Sequence, residues 1–334
     1  MGRMTVLITG ASGFIGERAV AAARKRGHLV VAVLRRAEAA PKAWAADGGI
    51  MTVVVDLAAK GAEKTLTEAM QPVDVVIHAA AKLGGDDAEQ SGATLTGTRT
   101  VIAAMLGRDG AAPRLVLVSS LSVYGATGLQ VGGSLTEKSP LETHPDMRDA
   151  YCRGKLAQED MVKKAALKHG FPLWILRPGA VYGPGRAWNA HLGIGLGPLL
   201  LQVGRGGEVP LSHVEHCAEA MVLAAEVTPK DGAIEFCNVV DSVLPTRSAF
   251  VAEHQRSGWP LKAVVLPYGI FSLMSKLIAY LPDGLRAKLP GLLRRPVLDA
   301  RMKPLTYPNK ILRERLGWQP SREFSDALRE AWDE

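Results

Sequence analysis

Cysteine is scarce: Cys152, Cys217 and Cys237 are the three in a chain of 334 residues. They are too few and too scattered for a disulfide framework, and none sits at metal-ligand spacing; reduced, mostly buried thiols are expected. Aromatic residues make up 5% of the chain, with no aromatic-rich basic platform or groove-reading motif to accompany the net charge of +7. That argues against nucleic acid as a partner. The basic runs are short, Arg24-Lys25-Arg26, Lys163-Lys164 and Arg294-Arg295, and read as solvated helix faces or termini. No segment needs a bilayer, and no internal repeat or low-complexity tract appears. Met1-Gly2-Arg3-Met4 leads straight into a strand, without the apolar core and cleavage site of a signal peptide. A cytoplasmic protein is expected on these grounds.

A hydrophobic fraction of 47% against a charged fraction of 22% is that of an ordinary globular chain, long enough to bury a substantial core. From Thr5 to about Arg177, short apolar runs alternate with helical stretches. The expected strands are Thr5–Thr9, His28–Leu34, Met51–Val55, Val73–His78, Arg114–Ser119 and Leu173–Leu176. Each is a near-continuous Val, Ile or Leu run, as in strands covered on both faces. Helices are expected near Gly16–Arg26, Lys60–Met70, Asp87–Gly107 and Asp149–His169. The pattern predicts an α/β protein with a doubly wound parallel Rossmann sheet over 1–180. Beyond it, glycine-rich breaks predict a smaller, less regular substrate lobe over 181–334, with 212–240 returning to the sheet through a strand at Ala233–Asn238. Two closing helices are expected at Pro308–Leu316 and Arg322–Trp332.

Gly10-Ala11-Ser12-Gly13-Phe14-Ile15-Gly16 follows the first strand directly. In that context Gly10 permits a tight turn, Gly13 lets backbone approach a pyrophosphate, and Gly16 lets the new helix pack closely. Free N–H groups at the helix start favour the phosphate charge. Much later, Tyr151 and Lys155 stand four apart on an expected helix, so both heads can share one site. An ammonium beside the phenol would bring its pKa down toward neutrality and make Tyr151 an acid/base. Ser120, behind the fifth strand, can bond a substrate carbonyl oxygen, or else simply cap a turn.

These motifs, with Asp56-Leu57, His78-Ala79-Ala80, Ser119-Ser120-x-Ser122-Val123-Tyr124-Gly125 and Arg177-Pro178-Gly179-Ala180-Val181-Tyr182-Gly183-Pro184-Gly185, occur in an ordered series. The chain resembles the extended short-chain dehydrogenase/reductase family over nearly its whole length. The resemblance implies an NAD(P) cofactor, with Asp56 and Leu57 near the adenine, Ala79, Ala80 and Ala81 along the ribose side, and Pro178, Gly179 and Val181 near the nicotinamide. It also implies catalytic roles for Ser120, Tyr151 and Lys155. Where the family often has Asn before a Gly-Thr pair, this chain has Thr94-Leu95-Thr96-Gly97-Thr98, so any role of that Asn is lost here.

At the end of the second strand, about 20 residues past the glycine loop, an acidic residue would bond a ribose 2′-hydroxyl. Arg35 and Arg36 stand there instead, which favours NADP; Glu38 keeps NAD open. His213-x-x-His216 lacks a third ligand, so no metal is expected. The segment from Leu266 to Tyr280 is apolar around much of a helix and requires cover. A core position is favoured over an apolar pocket lining, and that over a membrane surface met together with Arg286, Lys288, Arg294 and Arg295. The resemblance to the hydroxysteroid and ketone-reducing members predicts an NADP-dependent oxidoreductase acting on a hydrophobic ketone or secondary alcohol. A nucleotide-sugar epimerase or dehydratase that recycles its cofactor is the alternative, and a non-catalytic NAD(P)-binding regulator the third reading. The family also implies a homodimer through the two long helices.

Overall fold

The fold was analysed in a computed structural model, which describes residues 2–81, 87–187, 191–230, 233–278, 280–286, 289 and 291–332. In chain order the strands are β1 (Thr5–Thr9), β2 (Leu29–Leu34), β3 (Ile50–Val54), β4 (Val75–His78), β5 (Arg114–Val118), β6 (Leu173–Pro178), β7 (Ala180–Tyr182), β8 (Gly193–Leu196), β9 (Leu199–Val203), β10 (Leu211–His213), β11 (Ile234–Val239) and β12 (Lys262–Leu266). The helices are α1 (Phe14–Lys25), α2 (Ala62–Met70), α3 (Asp87–Gly107), α4 (Ala150–His169), α5 (Val214–Glu226), α6 (Arg247–His254), α7 (Tyr268–Ile278), α8 (Asp283–Arg286), α9 (Arg295–Met302), α10 (Lys310–Leu316) and α11 (Phe324–Glu330).

Seven strands form one sheet in the order β11-β6-β5-β4-β1-β2-β3, every pairing parallel. The apolar runs dictate this, because alternate residues of one strand feed opposite faces. Val6 and Ile8 of β1 enter a core with Ala19, Val20, Met221, Leu312, Leu316 and Trp318, so α1, α5 and α10 cover that side. Leu7 enters the other core with Leu66, Met70, Val101, Met105 and Val162, so α2, α3 and α4 cover the second. The doubly wound α/β fold expected from the sequence is therefore present. The edge strand β3 is only partly covered, with Met51 and Val54 exposed.

The chain turns back to the sheet twice after β6: α5 and β11 lie in its layers, and so do Leu312, Leu316 and Trp318 near the C-terminus. The strands outside these returns form two small sheets. β10 pairs with β7, and β9 pairs with β8 and β12. Helix α7 is two-faced. Tyr268 and Phe271 join Val203, Leu293, Leu298 and Met302 in a local core, whereas Ile270, Leu273, Met274 and Leu277 are exposed. The favoured core position thus describes one face of that helix and not the other.

Candidate active site

The order of strand addition reverses at β1, with β2 and β3 on one side of it and β4, β5 and β6 on the other, the place where open α/β sheets admit ligands at their carboxyl edge. Gly10 follows β1 with φ +67°, a left-handed turn that favours glycine. A Cβ there would stand 3.0 Å from both N and Cα of Ala80, and the Ala80 N–H donates to the Thr9 hydroxyl at 3.2 Å. The loops after β1 and β4 are thereby stitched together. At Gly16 a Cβ would come within 2.0 Å of the Gly10 carbonyl oxygen, so the helix presses on the loop itself as well as on the sheet.

Gly13 is the exposed N-cap of α1, and no side chain caps that helix. A 12-residue helix with uncapped N–H groups opening on a glycine loop suits a diphosphate. Ser12 lies half-buried in the loop. Phe14 carries the Arg186 guanidinium 4.5 Å from its ring centre, while Ile15, Ala79 and Val181 border one core. Arg35 and Arg36 follow β2, exposed, and neither guanidinium has a partner among the described residues. Asp56 Oδ1 accepts the Ala58 N–H at 3.0 Å, and Leu57 is nearly buried against the bare Cα of Gly97. Ala81 continues from β4, half-buried. The residues at this edge fit a dinucleotide: a glycine cradle, uncapped helix N–H groups, and two free cations one strand away.

Helix α4 begins at Asp149, whose Oδ1 accepts the Cys152 N–H at 2.9 Å. This puts Tyr151 in the first turn, with Lys155 one turn further and Glu159 another, on one face. Ser120 caps the 3-10 turn Leu121–Val123 by accepting the Ser122 N–H at 3.1 Å, and its hydroxyl lies near enough to the Tyr151 phenol to draw its pKa down. The turn-capping reading of Ser120 therefore holds. Burial pushes the phenol above its ordinary value; the Ser120 hydroxyl opposes it.

The drop toward neutrality expected from Lys155 does not occur within the protein. Burial dominates at the phenol, and the lysine reaches beneath it, donating to the Val118 carbonyl at 2.7 Å and to Gln158 Oε1 at 2.9 Å. A buried ammonium takes the acceptors nearest to it.

Lys155 ends a buried polar chain that sequence reading missed. Gln158 Nε2 donates to the Thr98 hydroxyl at 2.9 Å, Thr98 donates to the Thr94 carbonyl at 2.8 Å, and His78 Nε2 lies 3.0 Å from Thr98 Oγ1. Thr9 Oγ1 lies 2.7 Å from His78 Nδ1. Since the Thr98 proton is committed, His78 must donate from Nε2 and accept the Thr9 proton at Nδ1. Burial and then Lys155 pull His78 down to about 3, so it is neutral, as this arrangement requires. Burial pulls Lys155 down to about 8, with Glu159 opposing.

Beneath the serine turn, Arg177 and Glu159 form a buried bidentate pair at 2.9 and 2.7 Å. Ser119 donates to the same carboxylate at 2.5 Å. Arg177 also donates to the Tyr124 phenol at 2.8 Å, which donates to Asn238 at 2.7 Å. The pair ties β6 to α4 and β5. The only sequence signal was the shared helical face of Tyr151, Lys155 and Glu159.

Pro178 ends β6, buried. At Gly179 a Cβ would meet the Pro210 carbonyl oxygen at 2.1 Å, so the segment through Val181 crosses closely under the strand that becomes β10. His216 is bonded on both nitrogens, to Asp241 at 2.8 Å and to the Ser321 N–H at 3.0 Å. Among the described residues no three His, Cys, Asp or Glu gather as a metal site.

Comparison with known proteins places this geometry in a lineage. Residues 6–235 match the NAD dependent epimerase/dehydratase family. A 4-hydroxy-2-methyl-3-oxo-4-farnesyl-3,4-dihydroquinoline-1-oxide ketoreductase of Stigmatella aurantiaca is 34% identical over 233 residues, 68% of this chain and 66% of that protein, so just under two thirds of the relative is spanned. A 3-diazoavenalumate denitrifying reductase of a Streptomyces species is 33% identical over 67% of this chain and 72% of its own length. A UDP-glucose-4-epimerase structure from Stenotrophomonas maltophila, with bound NAD, superposes at a TM-score of 0.71 with 18% identity over 99% of this chain and 97% of that one, which shows the shared fold. The chain belongs to the NAD dependent epimerase/dehydratase family and is an NAD(P)-dependent oxidoreductase of the extended short-chain dehydrogenase/reductase type.

Proposed function

We propose that the protein is an NADP-dependent reductase of an apolar ketone, or the dehydrogenase of the corresponding secondary alcohol, working from the cytoplasm as a homodimer. The observation that carries the chemistry is the Ser120 hydroxyl close to the Tyr151 phenol, with Lys155 one helical turn further along α4. When bound, the dinucleotide supplies the hydride from C4 of its nicotinamide. A phenol held above its ordinary value keeps its proton at neutral pH, the form required to protonate a carbonyl oxygen. Ser120 has its oxygen engaged by the Ser122 N–H, and its proton, which lowers the phenol's pKa when turned toward Tyr151, would turn to that carbonyl oxygen and stabilise the charge gathering there. Lys155 uses two of its three protons on Val118 and Gln158, and the third is available to a ribose hydroxyl. Gly10, Ser12, Gly13, Phe14, Ile15 and Gly16 would hold the diphosphate, and Pro178, Gly179 and Val181 would flank the nicotinamide.

Arg35 and Arg36 support the 2′-phosphate reading. Their guanidinium groups are exposed and unpaired among the described residues, at the end of the strand paired with β1, where a planar cation can meet a phosphate. The apolar substrate class is supported by relatives whose names include a farnesyl quinoline ketoreductase and the Sterol demethylase protein B of Methylococcus capsulatus, 31% identical over 54% of this chain. The dimer reading rests on α3 and α4 lying side by side, with Ala157, Asp160, Lys164 and Leu167 of α4 facing outward. A nucleotide-sugar reading is favoured by the family match and by a dTDP-4-dehydro-6-deoxy-D-allose reductase 28% identical over 62% of this chain. Ketones and sugar nucleotides offered in parallel to the wild-type protein and to Tyr151→Phe decide between them. Net NADPH oxidation with ketones supports the proposal, and substrate conversion confined to sugar nucleotides without net oxidation defeats it.

A further inference from the structure

Helix α7 presents two apolar faces and the fold uses one. Ile270, Leu273, Met274 and Leu277, spaced for a single stripe, are 46%, 59%, 41% and 61% exposed. The stripe continues past the helix through Tyr280, Leu281 and Leu285, at 88%, 39% and 55%. Seven large apolar side chains within 16 residues are not the scattered single exposures of an ordinary surface.

The charge around the stripe selects its occupant. Residues 261–295 hold six basic side chains, Lys262, Lys276, Arg286, Lys288, Arg294 and Arg295, against the single acid Asp283. Five of the chain's net charge of +7 therefore fall in about a tenth of its length. Arg295 is paired with Asp299 at 2.8 Å; Lys262, Lys276 and Arg294 are exposed. Lys276 stands at the flank of the stripe, where a long stem can lie along apolar surface and its head stay in water. A second copy fits poorly, because a two-fold contact through this face would set the same cations against each other. No described helix is long and apolar enough to cross a bilayer.

We infer that α7 and the turn after it form an interfacial foot that lies on an anionic lipid surface, with Ile270, Leu273, Met274 and Leu277 among the acyl chains and the exposed Lys262, Lys276 and Arg294 on the headgroups. The foot would let an apolar substrate pass from lipid to the protein without crossing water, but it does not depend on which substrate that is.

Cosedimentation of the full chain with phosphatidylcholine vesicles, with and without phosphatidylglycerol, tests this. The expected result is binding to the anionic vesicles that weakens about tenfold on neutral ones or when salt is raised to about 0.5 M. Leu273→Glu with Leu277→Glu should lower it by a further factor of about ten. Leu273→Ser with Leu277→Ser, checked for an unchanged melting curve and unchanged NADPH affinity, guards against misfolding and keeps this test separate from the reading of the active site. Wild-type protein left in the supernatant with anionic vesicles overturns the inference. So does a dimer in sedimentation equilibrium that the same substitutions convert to monomer, since a second copy would then cover the stripe.

Discussion

Lys155 and Gln158 stand on one turn of α4, the ammonium donating to the amide oxygen at 2.9 Å. That bond stabilises the charged lysine against its burial, which draws it down to about 8 in the folded protein. A hydrogen bond to a charged group contributes about 1.5–3 kcal/mol, or roughly one to two pK units. Gln158→Leu should therefore let Lys155 lose its proton at lower pH, and Gln158→Glu at higher pH. Titration of the lysine ε-carbon by NMR, assigned with Lys155→Met, checks the sign. Turnover should fall as pH rises through the same value, and earlier in Gln158→Leu. An unmoved lysine titration in both variants would show that the amide does not govern it.

Arg35 and Arg36 offer two unpaired guanidinium groups at the end of β2. If they hold a 2′-phosphate, Arg35→Ser with Arg36→Ser should weaken NADPH binding by about 10-fold to 100-fold, the loss of one charge-assisted bond or more. NADH affinity should change by less than about twofold, since no phosphate is there to lose. Fluorescence titration with each nucleotide measures both. Equal losses for NADPH and NADH would assign the arginines another task.

His213 is buried with neither ring nitrogen bonded among the described residues, its ring set edge-on to Tyr182 and His216. Burial and then the neighbouring His216 pull it down to about 4, so the folded protein holds it neutral while the unfolded chain protonates it near pH 6.5. The unfolded state then binds more protons, and stability is lost as pH falls from about 6.5 toward 4. His213→Leu removes an unsatisfied polar ring and should raise stability at pH 5 by about 1–3 kcal/mol, with a smaller gain at pH 8. Urea unfolding at the two pH values measures it; an equal effect at both would mean that the ring's titration is not involved.

The sheet could be read from the sequence because its inner strands are buried on both faces and so consist of near-continuous apolar runs. The glycine loop, Ser120, Tyr151 and Lys155 could be read because each sits at the end of such a strand or at helical spacing. What could not be read was contact between distant elements. Gln158, Thr98, His78 and Thr9 come from α4, α3, β4 and β1, and nothing local in any of them announces a partner. The behaviour of Lys155 escaped for a related reason: spacing places its head near the phenol, but the nearest acceptors, Val118 and Gln158, decide where the amine goes. The return of Leu312, Leu316 and Trp318 to the main core, and the uncovered face of α7, are likewise facts of packing.

The assignment of Tyr151 as the proton donor, beside Ser120 and one turn before Lys155 on α4, is tested most directly by Tyr151→Phe. Removing one oxygen leaves the ring and the helix start in place, so NADPH affinity should stay within about twofold while ketone reduction falls by about 100-fold to 10,000-fold. Turnover at the wild-type rate, with the nucleotide still bound, would contradict it.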